Sequence, residues 1–173
     1  MLSLVSTQRR EQALRYRHTF GQFCCLKSWL MLYDLLDEGT KNLMDEWAYN
    51  EHGKPFMEGA PHFSISHCKE GIAVAIDELP IGIDIESIRH ADKDLIERTM
   101  NEKERLAISE LGMWEFTRLW TQKEAIVKAQ GVGIMSFEQL QSIIDNRESK
   151  IESIEKEKYI VSIAYGKLHC ISA

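Results

Sequence analysis

The chain has no C-x-x-C pair, no long apolar run, no excess of positive charge, no low-complexity segment and no strong internal repeat. Each absence removes a class of protein. The four cysteines, Cys24, Cys25, Cys68 and Cys170, lack the spacing of a zinc site or a thioredoxin-type motif. They read as reduced thiols of a cytoplasmic protein. No stretch approaches the roughly 20 apolar residues of a membrane span. The segment before Arg9 and Arg10 is too short for a signal peptide. A net charge of -6 argues against wholesale binding to nucleic acid or an anionic membrane. No Ser-His-Asp order and no H-x-x-x-H pattern stands out.

What remains is a chain of 173 residues, 44% hydrophobic and 28% charged. That length and composition suit one domain, or two small lobes sharing a core. The spacing predicts one long helix over 8–37, capped by Thr7 and ended by Gly39. Its apolar stripe would be Tyr16, Phe20, Phe23, Cys24, Leu30 and Met31. A polar stretch over 39–51 reads as a loop with a short strand near 47–49, and Gly53-Lys54-Pro55 as a turn. Strands follow over 62–67, 71–76 and 82–86, short turns implying an antiparallel meander. Helices are expected over 92–99, over 102–111 with Asn101 as cap, and from 113 to 130 before Gly131. Strands over 151–155, 159–164 and 167–172 close the chain, the last two as a hairpin at Tyr165-Gly166. The order predicts an α+β fold made of a pseudo-twofold pair of similar lobes, 1–86 and 87–173. Each would pack a small, mainly antiparallel sheet on a long helix.

Two segments carry the chemistry. In Gly82-Ile83-Asp84-Ile85-Glu86, strand alternation turns Asp84 and Glu86 to the same side, about 7 Å apart. Neighbouring carboxylates repel unless a cation or proton lies between them, and oxygen donors suit Mg²⁺. In Trp120-Thr121-Gln122-Lys123-Glu124-Ala125-Ile126-Val127-Lys128, Glu124 and Lys128 stand one helical turn apart, beside the buried stripe. Alone, a D-x-E strand is more often a solvated edge, and an i,i+4 pair more often a surface ion pair. Lys54 and the arginines of the first helix are ordinarily solvated, and His67 is ordinarily a core or turn residue. Three oxygen ligands beside an ammonium, however, suit a divalent metal handling a phosphate ester.

In order along the chain, these pieces resemble a family. They are Arg17 and Gly21, Gly53-Lys54-Pro55, Phe63-Ser64-Ile65-Ser66-His67, the G-x-D-x-E run, and W-x-x-K-E-A-x-x-K. Over about residues 15–131 the chain resembles the two-lobed, surfactin-synthetase-activating type of 4′-phosphopantetheinyl transferase. The resemblance implies a monomer with coenzyme A in the cleft between lobes and an acyl or peptidyl carrier protein as partner. It implies Asp84, Glu86 and Glu124 as ligands of Mg²⁺, or of Mn²⁺. Glu124 would also help deprotonate the carrier serine, and Lys128 would stabilise the leaving 3′,5′-ADP. Arg17, Lys54, Ser66 and His67 would bind coenzyme A phosphates. Glu104 matches a further acid near the cofactor. The family has more chain before its arginine-bearing helix, so part of the 3′-phosphate site is expected to be either missing or rebuilt from Arg9 and Arg10. Two rivals stand beside this reading. One is a non-catalytic or weakened coenzyme A-binding or carrier-binding paralogue on the same scaffold. The other is a metal-dependent nuclease, for which a net charge of -6 offers little groove.

Overall fold

The computed structural model describes residues 2–133, 136–144 and 150–166. The fold is α+β. Two helices, α1 (Thr7–Leu14) and α2 (Thr19–Leu35), stand where the sequence predicts one. Folding back at residues 15–18 buries Ala13 completely and lets Arg9 donate to the Cys25 carbonyl at 2.7 Å. Gln22 Nε2 donates to the Tyr16 carbonyl, which the break leaves open. Ser6, not Thr7, caps α1.

The apolar stripe is also rotated from its expected phase. Tyr16, Phe20 and Phe23 are exposed, and Leu30 and Met31 are half-buried. The buried row holds Cys24 and Cys25, then Trp29, Leu32 and Leu36. Trp29, Leu32 and Leu36 form the first core with Met44, Trp47, Met57 and Phe63. Each such side chain contributes roughly 1.5–3 kcal/mol by leaving water. The helix ends at Leu36, before Gly39, because Asp37 caps the short α3 (Glu38–Lys41) through the Thr40 N–H. The polar stretch expected as a loop therefore contains a helical turn.

β1 (Trp47–Tyr49) and β2 (Pro55–Met57) form a hairpin around the glycine turn. β3 (His62–Cys68) and β4 (Gly71–Asp77) form a second. β5 (Ile81–Ser87) does not extend that pair into a meander. It pairs instead with β7 (Tyr159–Tyr165), which also pairs with β6 (Lys150–Lys156). β4 is half-buried apart from Ala75, not covered on both faces. The hairpin described here joins β6 and β7; the strand expected over 167–172 lies outside the described residues.

Between β5 and β7 come α4 (Lys93–Thr99), α5 (Glu102–Leu111) and α6 (Met113–Gln130), then α7 (Phe137–Ser142). Asn101 caps α5 in a reciprocal box with Glu104. Gly131, left-handed at φ 69°, ends α6 as expected. α6 lies across β5 and β7 and supplies Ala125, Ile126 and Ala129 to a core with Leu140, Ile143 and Ala164. No helix among the described residues is long and apolar enough to cross a membrane.

Candidate functional site

Two devices bring the chemical residues together. The first is Gly82. A Cβ there would fall 1.9 Å from the Ala125 carbonyl oxygen and 2.4 Å from the Ala129 nitrogen. Only glycine lets α6 lie this close to β5. Glu124 and Lys128 of α6 therefore meet Asp84 and Glu86 of β5.

The second device joins β3 to β5, which share no backbone ladder. Ser64 and Ser66, two apart on one face of β3, accept the Ile83 and Ile85 N–H groups at 3.0 and 3.3 Å. Both serines are buried, and the hydroxyls satisfy donors that a neighbouring strand would otherwise take.

A cleft of about 350 Å³ results, lined by Asp84, Glu86, Glu124, Lys128, Ser66, His67, Ile65, Arg9, Tyr16, Cys25 and Ser28. Lys128 Nζ donates to Asp84 Oδ1 at 2.6 Å and to Ser66 Oγ at 2.9 Å. Ser66 donates to the same Asp84 oxygen at 2.8 Å. Asp84 Oδ2 is buried and has no hydrogen-bond partner among protein atoms. Burial, then the Asp84 charge, push the Glu124 carboxyl above its ordinary range, and the same two causes act on Glu86. Arg89 opposes both shifts, and the Trp120 side chain also favours the charged form of Glu86.

Among the described residues no three metal-ligating side chains are already gathered as a coordination shell. Asp84 is held by an ammonium instead. The donors nevertheless fit a hard divalent cation. Three carboxylates face one bound ammonium, one buried oxygen is unpartnered, and burial and the Asp84 charge push the other two acids towards protonation.

The remaining expected residues are more scattered. His67 is exposed at the end of β3 and meets the Phe20 ring edge-on, with centroids 6.4 Å apart. Arg17 lies on the exposed link between α1 and α2 and is not among the cleft-lining residues. Lys54 Nζ donates to the Ile81 and Ala129 carbonyls at 3.1 and 3.4 Å, and burial lowers its pKa to about 8. It lines an adjoining, largely apolar cavity of about 440 Å³ that shares Glu124 and Lys128 with the first. Arg9 lines the first cleft, but its guanidinium is buried, bonded to Cys25, Ser28 and Gln12, and stacked 4.4 Å from the Trp29 ring. Glu104 pairs with Lys123 at 2.9 Å, both side chains being enclosed.

A profile of the 4′-phosphopantetheinyl transferase superfamily matches residues 80–170, from the start of β5 past β7. The chain belongs to that superfamily. It is 32% identical over 140 residues to the 4′-phosphopantetheinyl transferase gsp of Aneurinibacillus migulanus, covering 76% of this chain and 58% of that protein. It is 26% identical over 141 residues to the transferase Sfp of Bacillus subtilis strain 168, covering 77% and 63%. Over 116 residues it is 40% identical to the transferase AcpT of Salmonella typhimurium, covering 60% and 58%. The chain thus spans about six-tenths of the length of these relatives.

Sequence reasoning did not single out Arg89 or the contact of Trp120 with Glu86. The Arg89 guanidinium lies 5.6 Å from the Trp120 ring centre. Arg89 is three residues beyond Glu86, past the end of the strand, so alternation says nothing of where it points. Trp120, one turn before Glu124, was legible as an aromatic on the right helix edge, but not as a group that favours the Glu86 charge.

Proposed function

We propose that this chain, like the enzymes its superfamily is named for, moves the 4′-phosphopantetheine arm of coenzyme A to a serine of a carrier protein, using Mg²⁺ and releasing 3′,5′-ADP. The observation that supports it best is the meeting of Asp84, Glu86, Glu124 and Lys128 in one cleft, with Asp84 Oδ2 left without a partner. Phosphoryl transfer asks for positioning and charge neutralisation more than for covalent chemistry. Asp84, Glu86 and Glu124 are the residues that would hold the cation. When bound, it would neutralise charge on the pyrophosphate.

The rest falls to the protein's own groups. Glu124, whose carboxyl is already pushed towards the proton by burial, takes the proton of the attacking serine hydroxyl. The serine oxygen forms a bond to the β-phosphorus as the bond from that phosphorus to the bridging oxygen of 3′,5′-ADP breaks. Lys128 meets the charge that develops on the departing phosphate. By the family resemblance Lys54, His67 and Arg17 are assigned to coenzyme A phosphates, with Lys54 approaching from the adjoining cavity and Arg17 from the exposed link outside the cleft lining. Mass spectrometry of a carrier protein incubated with this chain, coenzyme A and Mg²⁺ tests the assignment. The expected result is a gain of one phosphopantetheine arm on a single serine. Carriers of fatty acid, polyketide and peptide synthesis that all keep their original mass would overturn it.

A further inference from the structure

The Ser66 hydroxyl has one hydrogen to give and two lone pairs to share. All three are spent inside the chain. It donates to Asp84 Oδ1 at 2.8 Å, and accepts from the Ile85 N–H at 3.3 Å and from Lys128 Nζ at 2.9 Å. It is also buried. A phosphate oxygen would have to break one of these bonds to reach it. We infer that Ser66 is a positioning residue for Asp84, not a ligand of a coenzyme A phosphate.

The geometry explains how it acts. Ile85 follows Asp84 in the same strand, so one hydroxyl ties the carboxylate to its own backbone and fixes the side-chain rotation. Oδ1 then takes two bonds, from Ser66 and Lys128, and Oδ2 is the oxygen left unpartnered for a cation. Ser64 is the internal control. It makes the same stitch to β5, accepting the Ile83 N–H at 3.0 Å, and among the described residues it is bonded to no carboxylate. The stitch and the orientation of Asp84 are therefore separable roles, and Ser66 has both.

This inference rests on the metal assignment proposed above, so the test reads metal and coenzyme A separately, without turnover. Calorimetry would measure Mg²⁺ affinity in the absence of coenzyme A, and coenzyme A affinity in the absence of metal. The proteins are wild type, Ser66→Ala, the nearly isosteric Ser66→Cys and Ser64→Ala. Loss of a group that orients a metal ligand typically costs about 10-fold to 100-fold in metal affinity. That loss is expected for both Ser66 variants, with metal-free coenzyme A affinity within about twofold of wild type. Ser64→Ala is expected to lower the melting temperature yet keep wild-type Mg²⁺ affinity. Ser66 variants that lose coenzyme A affinity and retain Mg²⁺ binding would make Ser66 a phosphate ligand and overturn the inference alone. Equal loss of Mg²⁺ affinity in Ser64→Ala would reduce Ser66 to a strand stitch. A wild-type protein that binds neither probe defeats the functional proposal, and this inference with it. Should Ser66→Ala not fold, Ser66→Cys carries the same reading.

Discussion

α6 carries two lysines, five residues apart, and each is paired with a carboxylate from another element. Lys123 meets Glu104 at 2.9 Å and Lys128 meets Asp84 at 2.6 Å. By distance the two pairs are alike. By surroundings they are opposites. Lys123 is wholly enclosed and also donates to the Leu140 and Gln141 carbonyls, while the same Glu104 oxygen accepts the Asn101 N–H of the α5 cap. That pair binds α5, α6 and α7 together. Lys128 keeps nearly a third of its side chain exposed, and its partner has an oxygen with no bond. The difference teaches that an ion pair reads as structure when its groups are supplied from within. It reads as a site when a neighbouring group is left wanting charge.

The sharpest way to break this comparison is to remove each lysine and ask whether Mg²⁺ repairs the damage. Lys123→Ala leaves an uncompensated buried carboxylate and should cost about 3–5 kcal/mol of stability, with or without Mg²⁺. Lys128→Ala should cost about 1–3 kcal/mol in metal-free protein, and saturating Mg²⁺ should recover most of it. Turnover with Mg²⁺ should still fall about 100-fold, because the charge matters most as the phosphate leaves. Chemical denaturation with and without Mg²⁺ measures the first two effects, and single-turnover transfer to a carrier the third. Equal rescue of both variants by Mg²⁺ would erase the distinction.

Gly82 tests the geometry both pairs share. Gly82→Ala drives a Cβ into the backbone of α6 at Ala125 and Ala129. Backbone cannot swing aside as a side-chain tip can, so α6 must lift from β5. We expect a loss of about 1–3 kcal/mol. Mg²⁺ affinity should also fall, since Glu124 leaves Asp84 and Glu86. Unchanged metal affinity in a folded Gly82→Ala protein would show that the acids do not depend on the close approach.

The acid cluster has its own pH signature. Burial and the Asp84 charge raise the Glu124 pKa in the folded chain above the ordinary 4.5. The stability linked to its protonated form is therefore fully present below about 4.5 and is lost as pH rises through the folded value. At neutral pH without metal, the ionised carboxylate is a burden. Glu124→Gln should then melt higher than wild type, and the gap should close as pH falls towards 4.5. Mg²⁺ should reverse the gap at neutral pH by stabilising wild type alone. A metal-free Glu124→Gln protein that melts lower than wild type at pH 7 contradicts this.

These contrasts also mark what could be read from the sequence. The limits of α5 and α6 were legible because they are local: the box between Asn101 and Glu104, and the left-handed Gly131. Asp84, Glu86, Glu124 and Lys128 were legible because strand and helix periods fix which side chains share a side. The break between α1 and α2 was not, since its cause is the reach of Arg9 to Cys25 sixteen residues away. Nor was the partner of β5, because β7 arrives from the far end of the chain. Nor was the burial of Lys123, which depends on α5 and α7 closing over it. Periodicity tells which residues share a face, but not what covers that face.

The smallest expected effect concerns Lys54, a third lysine whose ammonium is held by main-chain carbonyls instead of a carboxylate. Burial lowers its pKa from 10.5 to about 8. The folded, ligand-free chain therefore binds this proton less tightly than the unfolded chain, and its stability rises with pH between about 8 and 10.5. A coenzyme A phosphate needs the ammonium form. Affinity for coenzyme A should hold steady below pH 7 and decline as pH passes about 8. The total loss should be no more than about tenfold, the low end for one charge-assisted contact. Lys54→Met should bind more weakly at neutral pH and lack that decline. Calorimetric titrations from about pH 6.5 to about pH 9.5 read both. Parallel pH profiles for the two proteins would leave Lys54 as a strut between β5 and α6, closer in kind to Lys123 than to Lys128.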